Sequence, residues 1–538
     1  MTLVSQTEVE WQFDADSLLD VEEWLHQRAE QGELQLNFLP LVKHCDHYLD
    51  TPDWRFYRAG YVLRVRQNEH DETIMVTLKS FGTRKGGLRV REELSEMLAA
   101  TNNHALPQRL IASNGQVGQR IQAVVGRERL QALCEVHTER QRITLRADGE
   151  QIAEIALDAI TIPSGQRRLP YRIQRVEVEL SAGLSPQQYS QAERFVEALR
   201  RACKLTPAKT SKFHLGISVN RLAPPAHRLD LGSPASVDEL DAQARCGELA
   251  IAALRQHFTD FLDNEPGARL GEDPEAVHHM RTATRRLRVA LKLFGNFLPE
   301  QTQSLRDDLR WIGRALGAVR DCDVQMQRLQ SWQEQPNALT QEALRVVQAM
   351  LAQEREKARA HLLRLLNSTR YQRMVERFVH LLSNSDALLP RARRLAQQEM
   401  PALLLAQYAR LRKKGDALGS DASPEEYHAL RMQCRRLRYA LEFCAPLYPR
   451  AIKRFLTKLI ALQDVLGEHQ DAWVALQELH KLRAAHAESL DESGVRALQA
   501  LQGQYEAYMR ECQRAFPRYY RRIKGKSWQR VQNQLDRE

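Results

Sequence analysis

Glutamates two residues apart occur at Glu8-Val9-Glu10 and again at Glu177-Val178-Glu179, and arginines recur at the same spacing, as in Arg64-Val65-Arg66. On a strand, residues i and i+2 share a face, so each motif aims like charges the same way. Like charges side by side repel unless a counter-ion stands between them. Paired carboxylates offer hard oxygens to a divalent cation, and paired cations suit phosphate oxygens. Lys79, Arg91, Arg140 and Lys212 add further cations. A sheet with one wet face is the ordinary setting for alternating charge, but such a face rarely gathers like-charged pairs of both signs. A closed sheet with its charges inside would do so, as a cavity for a metal-bound polyphosphate.

A second constellation lies in the C-terminal half. Val277-His278-His279-Met280-Arg281-Thr282-Ala283-Thr284-Arg285-Arg286-Leu287-Arg288 has a close copy 150 positions on, Tyr427-His428-Ala429-Leu430-Arg431-Met432-Gln433-Cys434-Arg435-Arg436-Leu437-Arg438. On a helix, at about 100° per residue, His278, Arg281, Arg285 and Arg288 fall within an arc of roughly 80°. His428, Arg431, Arg435 and Arg438 repeat that arc. Leu287 and Leu291, or Leu437 and Leu441, give each helix a side to bury. No Asp or Glu occurs from 277 to 294 or from 427 to 441, whereas solvated faces usually mix signs so that i,i+4 pairs relieve like-charge repulsion. The pattern calls for an anion from outside the chain. Neither His278 nor His428 has a His or carboxylate at i+4, which argues against a metal there.

The elements that must position these residues change character once along the chain. Residues 1–218 alternate with period two over 8–13, 61–66, 73–79, 88–94, 140–145, 152–158 and 175–180, which predicts strands. Turn signals between them include Gly86-Gly87, Ala147-Asp148-Gly149 and Pro163-Ser164-Gly165. Helices are expected at 17–31, 118–133 and 186–202. Residues 219–235, with three prolines, read as a linker. From 236 to 530 the period is helical throughout. The repeat extends to Leu316-Gly317-Ala318-Val319-Arg320-Asp321 and Leu466-Gly467-Glu468-His469-Gln470-Asp471. Each is expected to end one helix at its glycine and open another at its aspartate. The block thus reads as a duplicated bundle with pseudo-two-fold symmetry.

Composition sets the bounds. A chain of 538 residues holds more than one domain, and a net charge of +10 favours a polyanionic partner. No run approaches the roughly 18 apolar residues that span a bilayer, and the start, MTLVSQTEVEWQF, lacks the pattern of a secretory signal. The eight cysteines are scattered without a CxxC pair, which suits reduced thiols in a cytoplasm and argues against a zinc site or disulfide framework. Gly525-Lys526-Ser527 resembles the end of a P-loop, but Tyr520 stands where its first glycine belongs. No nucleic-acid module is recognisable, so nucleic acid is not the expected polyanion.

In its N-terminal part the sequence resembles the CYTH superfamily of triphosphate tunnel enzymes, whose signature is Glu-x-Glu-x-Lys. The stretch here is Glu8-Val9-Glu10-Trp11-Gln12, supported in order by Tyr48-Leu49-Asp50-Thr51-Pro52-Asp53, Leu63-Arg64-Val65-Arg66, Thr77-Leu78-Lys79, Gly86-Gly87-Leu88 with Arg91 and Glu93, Glu154-Ile155-Ala156-Leu157-Asp158, Glu177-Val178-Glu179-Leu180 and Ser211-Lys212. The resemblance implies an eight-stranded antiparallel tunnel that hydrolyses inorganic triphosphate with Mg²⁺ or Mn²⁺. By position, it makes Glu8, Glu10, Asp158, Glu177 and Glu179 metal ligands or water-orienting carboxylates. Arg64, Arg66, Lys79, Arg91, Arg140 and Lys212 become the phosphate cradle, and Glu8, Glu10, Gln12, Lys79 and Arg91 the catalytic set. One departure stands out: Gln12 replaces the signature lysine, and an amide cannot neutralise phosphate charge. Loss of one preorganised donor typically costs about 10²–10³ in rate. A polyphosphate binder with a weakened tunnel is therefore the alternative reading, and the superfamily's thiamine triphosphatases and adenylate cyclases are a third.

The C-terminal part resembles the CHAD family over about 236–530, on both His-x-x-Arg…Arg-Arg-Leu-Arg copies. That resemblance implies inorganic polyphosphate held by His278, Arg281, Arg285, Arg288, His428, Arg431, Arg435 and Arg438, with Lys292, Lys453, Arg454, Lys458, Lys524 and Lys526 as an extension. The expectation is an α+β protein of two domains, a β tunnel followed by an all-α duplicated bundle, in the cytoplasm without a membrane segment. A polyphosphate-granule location fits the helical half.

Overall fold

The computed structural model describes residues 4–536 except 33, 70, 86, 100–105, 165–168, 227, 334–340, 384–388, 420 and 486–491. Gly86 and Gly165 of the expected turns therefore lie outside the described residues. The chain forms two compact units, Met1–Arg228 with Pro266–Glu272, and Leu229–Glu265 with Asp273–Glu538.

The first unit is built on strands β1 (Val4–Ala15), β2 (Gln35–Phe38), β3 (Val42–Asp50), β4 (Tyr61–Asn68), β5 (Thr73–Ser80), β6 (Thr83–Lys85), β7 (Leu88–Ala99), β8 (Gln131–Ala147), β9 (Glu150–Ile162), β10 (Tyr171–Leu180) and β11 (Thr206–Pro207). Eight of them close a ring in the order β1-β10-β9-β8-β3-β4-β5-β7, and β7 pairs back onto β1. Every ring pairing is antiparallel. Closure removes the open edges and divides each strand's alternating residues between an inside and an outside. Here the usual sides are exchanged. The apolar residues point outward and are covered by helices α1 (Leu18–Glu30), α2 (Arg55–Arg58), α3 (Leu106–Ala112), α4 (Gln116–Val125), α5 (Pro186–Ala202) and α6 (Lys212–Val219). Phe13, Ile155 and Val176 thus pack with Val21, Leu25 and Phe195, and Leu63, Val65 and Val76 with Ile121 and Val124.

The helix expected over 118–133 stops at Val125. Gly126 takes φ +61° there, and residues 131–133 open β8 instead. The alternation of β8, half buried on the barrel wall, overrides the local helical tendency.

The second unit is helical: α7 (Cys246–Leu270), α8 (Pro274–Leu293), α9 (Thr302–Gln333), α10 (Gln341–Leu366), α11 (Thr369–Ser383), α12 (Ala396–Asp416), α13 (Pro424–Cys444), α14 (Pro449–Ala485), α15 (Glu492–Arg522) and α16 (Lys526–Leu535). Helices α7 to α10 recur as α12 to α15, and α8 and α13, the two basic helices, touch. Both begin with a side-chain cap and a proline in the first turn, Asp273-Pro274 and Ser423-Pro424, which leaves no orphan donor for the ring to block.

The expected break at Gly317 and Gly467 does not occur, because α9 and α14 each run straight through. These glycines have a different use. A Cβ at Gly317 would lie 3.5 Å from Arg281 Nε, and one at Gly467 would lie 3.4 Å from Arg431 Nη2. Each glycine thus lies mid-helix against the guanidinium of a basic-helix arginine.

Candidate active site and anion cleft

The tunnel encloses a cavity of about 530 Å³. Glu8, Glu10 and Gln12 face it from β1, opposite Arg91, Arg89 and β10. Arg64 and Arg66 reach it from β4, Lys79 from β5, Arg140 from β8, and Glu177 and Glu179 from β10; Lys212 enters from the first turn of α6. Asp158 of β9 is fully buried behind Arg140 and Lys212. The sequence-expected tunnel residues are therefore brought together.

They form two knots of ion pairs. Lys79 Nζ lies 3.0 Å from Glu8 and 2.5 Å from Glu93, while Arg91 Nε donates to Glu8 at 2.6 Å and its Nη2 reaches Glu10. In the other knot Arg140 forks onto Asp158 at 2.7 and 2.6 Å and touches Glu177, and Lys212 joins both carboxylates. Gln12 stands between the knots, its Nε2 donating to Glu10 at 2.8 Å and to Glu177 at 3.2 Å, with its Oε1 unpartnered.

The charges settle unevenly. Burial alone would raise the Glu8 carboxyl, but Lys79 and Arg91 overcome it and hold it at about 2. Burial raises Glu10 despite Arg91, and Glu8 and Glu177 add to the rise. Glu179, which solvent still reaches, is pushed up to about 7 by desolvation and by Glu8 and Glu10, and among the described residues it has no hydrogen bond or ion pair. Glu10 and Glu179, with Glu8 beside them, are thus hard oxygen donors of which two lack enough positive charge, which fits a divalent cation. Asp158 and Glu177 are held below their ordinary range by Arg140 and Lys212 against the pull of burial.

Sequence reasoning passed over four residues. Arg89 lines the cavity with no carboxylate partner among the described residues; its alternation with Arg91 was the available signal. Asp46 of β3 anchors Arg66 at 2.8 and 2.9 Å. His44 is buried beside it with an unpartnered Nε2. Arg175, wholly buried, holds Asp14 at 2.8 Å. Strand β3 itself carried no Arg-x-Arg or Glu-x-Glu to mark it.

In the helical unit a cleft of about 1030 Å³ is lined by His278, Arg281 and Arg285 of α8 and by His428, Arg431, Arg435 and Arg438 of α13. Among the described residues Arg285 reaches Thr282 of its own helix, at 2.9 Å, and Arg435 reaches Met432 Sδ, at 3.7 Å, and neither meets a carboxylate. Burial, and then Arg285 and Arg431, depress Arg435 to about 10. Arg438 is already neutralised by Glu442 at 2.7 Å. Arg288 does not line the cleft, and stands instead with Arg306, Arg310 and Arg314. None of Lys292, Lys453, Arg454, Lys458, Lys524 or Lys526 lines it either. Arg328 and Glu478, which are repeat equivalents, pair at 2.7 Å and so mark where the pseudo-two-fold axis passes.

A CYTH domain model matches residues 25–213 and a CHAD domain model residues 252–480. The chain joins a CYTH domain to a CHAD domain. No curated protein matches it. Among solved structures, the CHAD domain from the plant Ricinus communis is 28% identical over 53% of this CYTH–CHAD chain and 94% of its own, with a TM-score of 0.44. PptA from Streptomyces chartreusis is 22% identical over 52% and 100%, with a TM-score of 0.42. An adenylyl cyclase candidate from Hippeastrum with a dominant triphosphatase activity is 16% identical over 40% and 98%, with a TM-score of 0.31. The two domains assign this chain, at the level of the superfamily, to triphosphatase and polyphosphate-related chemistry, in which CYTH enzymes generally depend on a divalent metal. Among the described residues no helix is long and apolar enough to cross a membrane.

Proposed function

We propose that the tunnel hydrolyses inorganic triphosphate with a divalent metal and that the helical cleft binds inorganic polyphosphate. The observation that carries this reading is the balance of charge inside the tunnel. Eight arginine and lysine side chains line the cavity against six carboxylates, and Asp46 and Asp158 behind the wall make eight. A lining so balanced holds a highly charged anion only if further positive charge comes with it. Glu8, Glu10 and Glu179 would hold Mg²⁺ or Mn²⁺, which when bound supplies Lewis acidity toward phosphoryl oxygens. Arg64, Arg66, Arg91, Arg140, Lys79 and Lys212 then trade carboxylates for phosphate oxygens, and Arg89 joins them, fixing the chain and neutralising charge that grows toward the transition state. Glu179, which has no hydrogen bond or ion pair among the described residues, is placed beside that metal to orient an attacking water.

Gln12 favours a second reading. Its amide is spent on Glu10 and Glu177 and adds no positive charge, which would leave a tunnel that binds without turnover. Phosphate release from tripolyphosphate with Mg²⁺ or Mn²⁺, measured for wild type, Gln12→Lys and Glu10→Ala, separates the two. Turnover by wild type and none by Glu10→Ala supports the hydrolase. Turnover by Gln12→Lys alone overturns it in favour of the binder.

A further inference from the structure

The outer wall of the tunnel carries a group of side chains that the charged interior does not explain. Strands β3 and β8 pair with Cys45 opposite His137 and His47 opposite Glu135. These four alternate with the inward-facing His44 and Asp46, so they lie on the outside. The next pair along, Lys43 and Glu139, is an ordinary exposed ion pair at 3.1 Å. The row then departs from that pattern and offers a thiol, two imidazoles and one carboxylate.

We propose that this wall holds one zinc-class divalent cation, ligated by Cys45 Sγ, a Glu135 carboxylate oxygen and a His137 ring nitrogen. The three donor atoms all lie within 4.8 Å of one another, close enough for side-chain rotation to gather them on one ion. Sulfur and imidazole donors select a borderline-soft metal over Mg²⁺. Three protein ligands with a fourth position open match a common zinc arrangement. His47 stands behind the site, its Nδ1 3.3 Å from Glu135 Oε1, where it steadies the carboxylate that would bind. By sequence alone the scattered cysteines argue against a zinc site; Glu135 and His137 share one strand, but Cys45 is distant in the chain and meets them only through strand pairing.

The site differs in kind from the oxygen-only tunnel, and its test exploits that difference. Co²⁺ bound by a thiolate absorbs in the near ultraviolet, whereas Co²⁺ held by carboxylates alone does not. The full chain, stripped with a chelator and kept in excess Mg²⁺, is titrated with Co²⁺. The expected result is a thiolate band that saturates at one equivalent and survives Glu10→Gln. It is absent in Cys45→Ser and in Cys45→Ala, the latter adding no hydroxyl, so a folding defect in one variant leaves the other to decide. His47→Ala keeps the band but weakens Co²⁺ about tenfold to a hundredfold, as loss of a residue that orients a ligand does. No band in wild type, or a band undiminished in both Cys45 variants, overturns the proposal.

Discussion

Replacing Arg435 by methionine should make the helical unit more stable and bind polyphosphate less well. Arg435 and its repeat equivalent Arg285 face the cleft with no acidic partner, and Arg281 and Arg431 add to the repulsion. The depression of Arg435 from 12.5 to about 10 does not mean that it deprotonates; it measures how badly the folded state tolerates the charge. That penalty is present at every pH below about 10, hence at neutrality. At about 1.4 kcal/mol per tenfold it is at most roughly 3 kcal/mol, and screening by the solvent that still reaches the side chain trims it to about 1–2 kcal/mol. Methionine keeps most of the stem's packing and removes the charge. Urea unfolding followed by the helical signal, without phosphate, should therefore shift to a higher midpoint. Polyphosphate affinity should fall at least tenfold, and its salt dependence should flatten by about 0.7 in log–log slope, with a single-stranded polyanion as guide. The Arg285→Met, Arg435→Met double variant should gain less than the sum of the singles, because each single change already relieves the same repulsion. A less stable Arg435→Met with unchanged polyphosphate affinity would refute the reasoning and make this a solvated face.

Arg89→Ala should lower kcat/KM for triphosphate about tenfold to a hundredfold, since a charge-assisted hydrogen bond is worth about 1.5–3 kcal/mol, without destabilising the fold, because Arg89 has no carboxylate to lose; steady-state kinetics beside urea unfolding check both halves. Lys212→Met should cost the tunnel domain about 3–5 kcal/mol, because Asp158 and Glu177 are left buried with Arg140 as their one ion-pair partner among the described residues and Gln12 adding just a neutral amide to Glu177; an unfolding midpoint within error of wild type would contradict this. Acid should draw opposing responses from the tunnel domain: Glu179, raised from 4.5 to about 7, and Asp50, raised from 3.8 to about 6, favour the folded state as pH falls, and His44 does the reverse. Burial, with Arg66, Arg140 and Lys212, holds the His44 imidazole down to about 3 from 6.5, so the unfolded chain binds the extra proton first. Its contribution is complete above about 6.5 and is lost as pH falls toward 3. Glu8, at about 2 against 4.5, adds a loss of the same sign at lower pH. The His44 part is read as a difference: the unfolding midpoint of His44→Asn relative to wild type should rise as pH falls from about 6.5 toward 3, and a constant difference would contradict it.

Much of this protein was legible because its signals are local. Glu8-x-Glu10, Arg64-x-Arg66 and Glu177-x-Glu179 declare a charged strand face through the two-residue pleat alone. The basic helices declare themselves through the spacing of Arg281, Arg285 and Arg288 and their copies. A repeat 150 residues long is visible without any structure. What the strands enclose, and the absence of a break at Gly317, were not local. Glycine before an aspartate reads as a helix end, yet here it sits mid-helix against a guanidinium arriving from another helix.

The sequence by itself determined the kind of charge on each face, the change from sheet to helix near the linker, and the duplication. Only the tertiary structure decided which charges meet. Ring closure and strand register tie Lys79 to Glu8 and Arg140 to Asp158, leave Arg89 and Glu179 without an ion pair among the described residues, and set Cys45 across from His137. Helix packing turns Arg288 away from the cleft while keeping Arg285 and Arg435 inside it. Periodicity fixes a side chain's direction relative to its own backbone; its partner depends on elements distant in the chain, whose positions follow from burying the apolar faces of the whole fold.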